Sequence, residues 1–264
     1  MVGAGHDRKV TPGITGSSRV RVHIDPAVWY PDVVSSHPGG AAAAKGGRGH
    51  AHFQGSLMKW NFKYLSHVTF MLQEKLLDYL AGIIYGDGSI YYYARNGEYF
   101  VYIYDESREF LETIGEMTKN TLNLRYTIVR PRSNQNYFRL QFTQKWFFFE
   151  IQKRIHELCR KPTLEFVRGF FEAEGSLIID TKKGKIRVEL ANRDQKIIRK
   201  ISEFLLGYGV RVRITRHRQK GKCIIYKANI RGRENVDKLL KTLRLIHPKF
   251  RSKLRYTKAR ALCP

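Results

Sequence analysis

The sequence predicts an α+β protein of two pseudo-symmetric halves, each ordered αββαββα, packed through one helix from each half. Three observations carry this. The succession of helix-period and strand-period segments that becomes globular at Trp60 starts again at Pro162. Asn96-Gly97 sits inside a run of Tyr, Val and Ile from 90 to 104, a strong hairpin signal. Two helices carry small residues four apart, Gly82 with Gly86 and Gly169 with Ala173, and the second pair follows the first by 87 positions.

The elements follow in order. Leu76, Leu77, Leu80, Ile83 and Ile84 recur at spacings of three and four, which predicts a helix over about 67–85, ending at Gly86-Asp87-Gly88. The hairpin of 90–104 comes next, then a helix over 107–119. Strands at 125–130 and 137–142 flank a polar loop, Pro131 to Asn134, and 145–159 reads as a helix. In the second half Pro162 suits the first turn of a helix over 162–173. Strands at 177–180 and 185–190 flank Lys182-Lys183-Gly184, and a helix covers 194–206. Strands at 210–215 and 223–230 flank a basic loop, 216–222, before a last helix at 234–245.

Residues 1–57 differ from the rest. They are rich in Gly, Ser, Pro and Ala, a linker-like or disordered composition, although 20–30 alternates enough to make a strand. This divides the chain into an N-terminal segment, 1–57, and halves at 58–161 and 162–264, with Met58 a candidate functional start if the segment is read-through or an expression artefact.

The chain has 264 residues, 42 % of them hydrophobic, and a formal net charge of +25. So large a positive excess favours a polyanionic partner. Residues 181–260 hold 26 Lys or Arg against 5 Asp or Glu, interleaved with Val, Ile, Leu and Tyr. Folded strands and helices with basic faces fit that pattern better than a basic tail, so a nucleic acid is favoured over a membrane surface. No apolar run reaches the roughly 18–20 residues of a membrane span, and no secretory signal is visible. Cys159, Cys223 and Cys263 form no CxxC pair, which argues against a disulfide framework or structural zinc. An intracellular, reducing location is expected.

Glycine inside a helix costs about 1 kcal/mol relative to Ala, so Gly82, Gly86 and Gly169 need a reason. Close packing of two helix backbones is one. If those helices lie side by side, Asp87 and Glu174 meet at one end of the seam. Asp87 alone reads as a turn residue in Gly-Asp-Gly; paired with Glu174 in a repeat, it reads as a functional carboxylate. Two carboxylates in a cationic protein suit a hard divalent metal, which takes one or two of them plus phosphate and water. Glu172 reads as a solvated or supporting acid. The scattered histidines, His156, His217 and His247, show no metal-binding spacing.

The two stretches, Leu80 to Ser89 and Val167 to Ser176, resemble the paired motifs of LAGLIDADG homing endonucleases in their single-chain form. The resemblance spans about 70–255. Tyr85 departs from it where an acid is usual, as does Arg168 where a small or apolar residue is usual. The resemblance implies a divalent metal, Mg²⁺ or Mn²⁺, bound by Asp87 and Glu174 with Gly86 and Ala173 beside them. It implies sheets forming a saddle on double-stranded DNA, both strands of which are cut to promote intron homing. It also implies basic helpers late in each half, at Lys161 and Lys249, with Lys253 competing. Asp105 and Asn192 hold matching positions where a polar residue would orient the attacking water.

Candidate DNA contacts in the first half are Tyr91, Tyr93, Arg95, Arg130, Arg132, Asn134, Gln135, Arg139 and Gln141. In the second they are Lys182, Lys183, Lys185, Arg187, Arg211, Arg213, Arg216, Arg218, Lys222 and Lys227. Arg suits guanine edges, Asn and Gln suit adenine, and alternation puts only every second strand residue on the DNA face. A monomer is expected. The competing readings are an intron RNA maturase of the same fold and a DNA-binding regulator on an inactive nuclease scaffold. An intein is disfavoured by the Met start and by the Leu-Cys-Pro end.

Overall fold

The computed structural model describes residues 55–131, 135–180, 184–218 and 223–253, with side chains from residue 69 onward. The segment 1–54, its expected strand at 20–30, Arg132, Asn134, Lys182, Lys183 and Lys222 lie outside the described residues. The element order is α1 (Gly55–Asp87), β1 (Gly88–Tyr93), β2 (Glu98–Asp105), α2 (Arg108–Leu122), β3 (Thr127–Val129), β4 (Phe138–Phe142), α3 (Lys145–Leu158) and then α4 (Leu164–Glu174), β5 (Gly175–Asp180), β6 (Lys185–Asn192), α5 (Gln195–Gly207), β7 (Arg213–Arg218), β8 (Ile224–Arg231) and α6 (Arg233–Leu243). The repeat αββαββα is therefore present twice. Residues 248–253 add a final helical segment.

Each half builds one antiparallel four-stranded sheet with the same strand order, β1-β2-β4-β3 and β5-β6-β8-β7. Local chemistry repeats as well. Ser107 caps α2 by accepting from the Phe110 N–H, and Asp194 caps α5 by accepting from the Lys196 N–H. Asn123 and Arg244 close α2 and α6 in left-handed conformations, at φ 52° and 49°.

Three expectations shift, the smallest at Pro162, which precedes the Thr163 cap of α4 instead of lying in its first turn. The helix α1 begins at Gly55, well before the expected start at 67 and inside the segment that composition set apart as linker-like. The strand expected at 210–215 runs instead from Arg213 to Arg218, so residues 216–218 of the supposed basic loop are strand. The arginines there sit on an edge strand, where charged side chains are tolerated; charge concealed the element.

The seam between the halves is α1 against α4, and its closeness is reciprocal. A Cβ on Gly82 would lie 2.1 Å from the Phe166 carbonyl oxygen, and one on Gly169 would lie 2.1 Å from the Tyr79 carbonyl oxygen. Each helix offers a glycine where the other presents backbone. Ile83, Ile84, Phe166, Phe170 and Phe171 fill the seam's flanks and are fully buried or nearly so. At the far end from Asp87, Arg154 of α3 bonds Glu74, Asp78 and Glu150, while the Thr163 hydroxyl donates to Asp78. That cluster ties α3 and the start of α4 to α1.

Candidate active site

Asp87 is the last residue of α1 and Glu174 the last of α4. The helix ends touch: a Cβ on Gly86 would lie 2.5 Å from Ala173 Cβ and 3.1 Å from Glu174 Cγ. Both carboxylates thus stand at helix C-termini, the negative ends of the helix dipoles, where an anion is disfavoured. Burial pushes Asp87 up to about 6, against the pull of Lys249. Burial, with repulsion from Asp87, pushes Glu174 up to about 8. Two acids held together in this way call for a cation between them.

A segment from the far end of the second half supplies one. The Lys249 ammonium donates to the Ala173 carbonyl at 2.7 Å and lies within the fields of Asp87, Asp105, Glu172 and Glu174; burial lowers its pKa. Its neighbour His247 is 4 % exposed and crosses the seam, with Nε2 2.8 Å from Asp105 Oδ2. The Lys249 N–H donates to His247 Nδ1 at 3.0 Å, so in the neutral ring the proton belongs on Nε2 and is donated to Asp105. The Ser107 N–H donates to the other Asp105 oxygen at 2.6 Å. At the matching place in the second half, Asn192 Nδ2 donates to Glu174 Oε1 at 3.4 Å, and its own oxygen accepts from the Asp194 N–H at 2.9 Å.

The structure brings Asp87, Glu174, Asp105, Asn192 and Lys249 together. Lys161 is not among them. It is exposed, just ahead of α4, while Glu174 ends that helix. Its sequence place resembles that of Lys249, but the segment carrying Lys249 folds back across the seam and the one carrying Lys161 does not. Lys253 donates to the Leu177 carbonyl at 2.9 Å, on the strand beyond Glu174. The Ala173 carbonyl, expected beside the metal, is engaged by Lys249.

Glu172 is fully buried rather than solvated. It accepts hydrogen bonds from the Tyr79 hydroxyl and the Ile246 N–H, and Arg168 lies 3.9 Å away with its guanidinium 5.2 Å over the Tyr79 ring. At the equivalent position Tyr85 packs on Phe166 and Phe170 and donates to Asp194 at 3.2 Å. The two departures from the motif thus sit at the seam, Tyr85 against its phenylalanines and Arg168 beside Glu172 and Tyr79. His247 is the residue that sequence reasoning missed, because neither its spacing nor its neighbours signal a partner in the other half; Glu172 is a supporting acid as expected, but without solvent around it.

The sheets sort the candidate DNA contacts. In the first, pairing places Tyr91, Tyr93, Phe100, Tyr102, Tyr104, Arg139 and Gln141 on the outward face, while Val101, Ile103, Leu140 and Phe142 face the core. Arg95 is exposed in the hairpin loop. Arg130 is turned away from that face: it donates to the Gln135 carbonyl at 3.2 Å and lies 5.4 Å over the Phe138 ring. In the second sheet the outward face carries Lys185, Arg187, Arg213 and Lys227, with Glu189 bridging Arg187 and Lys227 at 3.1 Å each. Arg216 and Arg218 pair opposite Tyr226 and Ile224, on the core side of the edge strand. The outward position between them is His217. Arg211 is exposed before β7, its backbone held by Asn235.

Two αββαββα halves joined at paired small-residue helices, each ending in an acid, define the class of two-motif LAGLIDADG proteins. The chain belongs to the LAGLIDADG-like domain family, whose profile matches residues 74–155 and again 161–244. It is 25 % identical over 160 residues to an uncharacterised protein of Methanocaldococcus jannaschii, a match covering 59 % of this chain and 55 % of that one, so the likeness spans about half of that relative's length. It is 24 % identical over 168 residues to the homing endonuclease I-DmoI of Desulfurococcus mucosus, covering 60 % of this chain and 82 % of the relative. A crystal structure of I-DmoI in complex with DNA and Mn superposes with a TM-score of 0.52 at 23 % identity, over 65 % of this chain and 97 % of that chain.

Proposed function

We propose that this protein is a divalent-metal-dependent endonuclease that cuts both strands of a specific duplex DNA site, in the manner of a homing endonuclease acting as one chain. The observation that carries the reading is the convergence of Asp87 and Glu174, one from each half, at the end of a seam closed by facing glycines. Family membership and the similarity to I-DmoI support it.

The donor set fits a hard metal ion. Asp87 and Glu174 supply anionic oxygen, and their mutual repulsion is what a divalent cation relieves. Among the described residues no group of three or more His, Cys, Asp or Glu forms a self-sufficient site. DNA phosphate and water would complete the coordination, as is usual for Mg²⁺. When bound, the ion supplies Lewis-acid stabilisation of charge at phosphorus and lowers the pKa of bound water.

The chain's own residues do the rest. Asp105, fixed by His247 and the Ser107 N–H, and Asn192, fixed by the Asp194 N–H, present polar atoms on the two sides of the carboxylate pair. They orient water, one per strand to be cut. The Lys249 ammonium offers positive charge to an approaching phosphate, and the second sheet's cations hold the backbone either side. Protein donors placed where charge develops are worth far more in a dehydrated site than in water.

The test is incubation of a randomised duplex library with the protein in Mg²⁺ and in EDTA. A discrete Mg²⁺-dependent double-strand cut supports the reading. Binding without a cut would transfer it to the maturase or regulator alternatives, with intron RNA as the next ligand.

A further inference from the structure

We propose that the two sheets grip duplex DNA by different physics: the second anchors phosphates by charge, while the first is a nearly uncharged aromatic face that supplies discrimination. This rests on the reading of the protein as a duplex-DNA binder.

The two faces differ although the folds beneath them match. On the outward face of β5 to β8, five cations, Lys185, Arg187, Arg213, Lys227 and Arg231, stand against two acids, Asp180 and Glu189. Lys185, Arg213 and Arg231 are exposed and take no salt bridge among the described residues. On the outward face of β1 to β4, Arg139 is the one cation among the described strand residues, and Glu98 opposes it in charge. Arg139 is itself engaged, stacked 4.5 Å over the Tyr102 ring with Nη2 3.2 Å from Gln141 Oε1.

What replaces charge there is ring surface. Tyr91 and Tyr93 stack with centroids 6.3 Å apart, Phe100 and Tyr102 at 5.5 Å, and Tyr102 continues to Tyr104 at 6.1 Å. Tyr91 is 49 % exposed. Rings, with Thr127 and Val129 beside them, offer a major groove apolar contact to thymine methyls and hydroxyls to base edges, but little to phosphate. Phosphate contacts position a protein without reading sequence, and base contacts specify. Non-specific affinity is almost entirely the charge term, with a slope of log K on log salt of about −0.9 per phosphate neutralised. The second sheet should therefore account for most of the salt dependence, and the first for preference between sequences.

The experiment measures full-chain binding in EDTA to a 40-bp mixed-sequence duplex and to a duplex recovered by selection, from 50 to 300 mM salt. Two variants are compared with the wild type: Lys185→Gln/Arg213→Gln/Arg231→Gln in the second sheet and Tyr91→Ser/Arg139→Gln in the first, each checked for an unchanged circular dichroism spectrum. The expected result is a salt slope shallower by about two to three in the second-sheet variant, with affinity lost on both duplexes. The first-sheet variant should change the slope by less than one and leave mixed-sequence affinity within twofold, while its preference for the selected duplex falls at least tenfold. Equal changes of slope, or an unchanged preference in the first-sheet variant, would overturn the division of roles and leave duplex binding standing. Failure of the wild type to bind any duplex would remove the underlying reading as well.

Discussion

His247 Nε2 lies 2.8 Å from Asp105 Oδ2, a contact between residues 142 positions apart that joins the end of the second half to the first. With Phe110 packed at a tilt against the imidazole at a centroid distance of 4.2 Å, this pair holds the returning segment in place and sets Lys249 at the Ala173 carbonyl. His247→Ala is expected to lower cleavage at least tenfold, with a smaller loss in His247→Gln, which retains a donor. Single-turnover rates check this. Equal rates in wild type and the alanine variant would show that Lys249 is positioned without the clasp.

The carboxylate pair predicts separation of cutting from binding. Asp87→Asn or Glu174→Gln should reduce double-strand cleavage by at least a thousandfold, while DNA affinity holds or rises because a negative charge has been removed. Full cleavage by either variant would refute the shared site.

The raised pKa values also fix the sign of a pH effect. Folded Glu174 titrates near 8 and Asp87 near 6, above ordinary values of 4.5 and 3.8, so the folded chain holds more protons than the unfolded chain across that interval. Stability contributed by these groups therefore falls as pH rises from about 4 to about 8. The melting temperature of metal-free protein should decline across that window, and Glu174→Gln should flatten the decline. Mn²⁺ binding at pH 7 should release protons, measurable by calorimetry in buffers of different ionisation enthalpy.

The seam predicts intolerance of a single methyl group. Gly82→Ala or Gly169→Ala places a Cβ 2.1 Å from a carbonyl oxygen of the facing helix, which must move away. A loss of about 3 kcal/mol or more is expected, at the upper end of overpacking effects. Urea denaturation measures it. At Gly97, where nothing lies within 4 Å but φ is +68°, the same change would act through backbone strain alone.

Arg154 offers a second stability test. It is 12 % exposed and bonds three carboxylates, so Arg154→Leu strands Glu74, Asp78 and Glu150 together and should cost about 3–5 kcal/mol. Normal stability in that variant would mean that solvent reaches the cluster.

Much of this was legible in the sequence, for identifiable reasons. The repeat shows itself because helix and strand periods alternate in the same order twice. Gly82 and Gly169 reveal the seam because interior glycines are expensive, and Asp87 and Glu174 stand at fixed places beside them. What was hidden depends on contacts across long separations. Nothing near His247-Pro248-Lys249 announces that this segment returns to Asp105 and Glu172. Lys161 looked equivalent to Lys249 only while the chain was a line. Arg216 and Arg218 resemble groove readers by type, but one step of register on an edge strand turns them to the other side, with His217 between them facing outward.

The clasp has a temporal consequence. The carboxylates come from residues 87 and 174, but the lysine whose charge opposes both is residue 249, held by a histidine two positions earlier. During synthesis the first half can form its sheet, and α4 can reach the glycine seam, before the ammonium is available. A ribosome-bound chain at that stage has both acids facing each other without their counter-charge. Closure of this site thus falls to the last described segment, and a chain ending short of it would keep the glycine seam and both acids but lack the ammonium beside them.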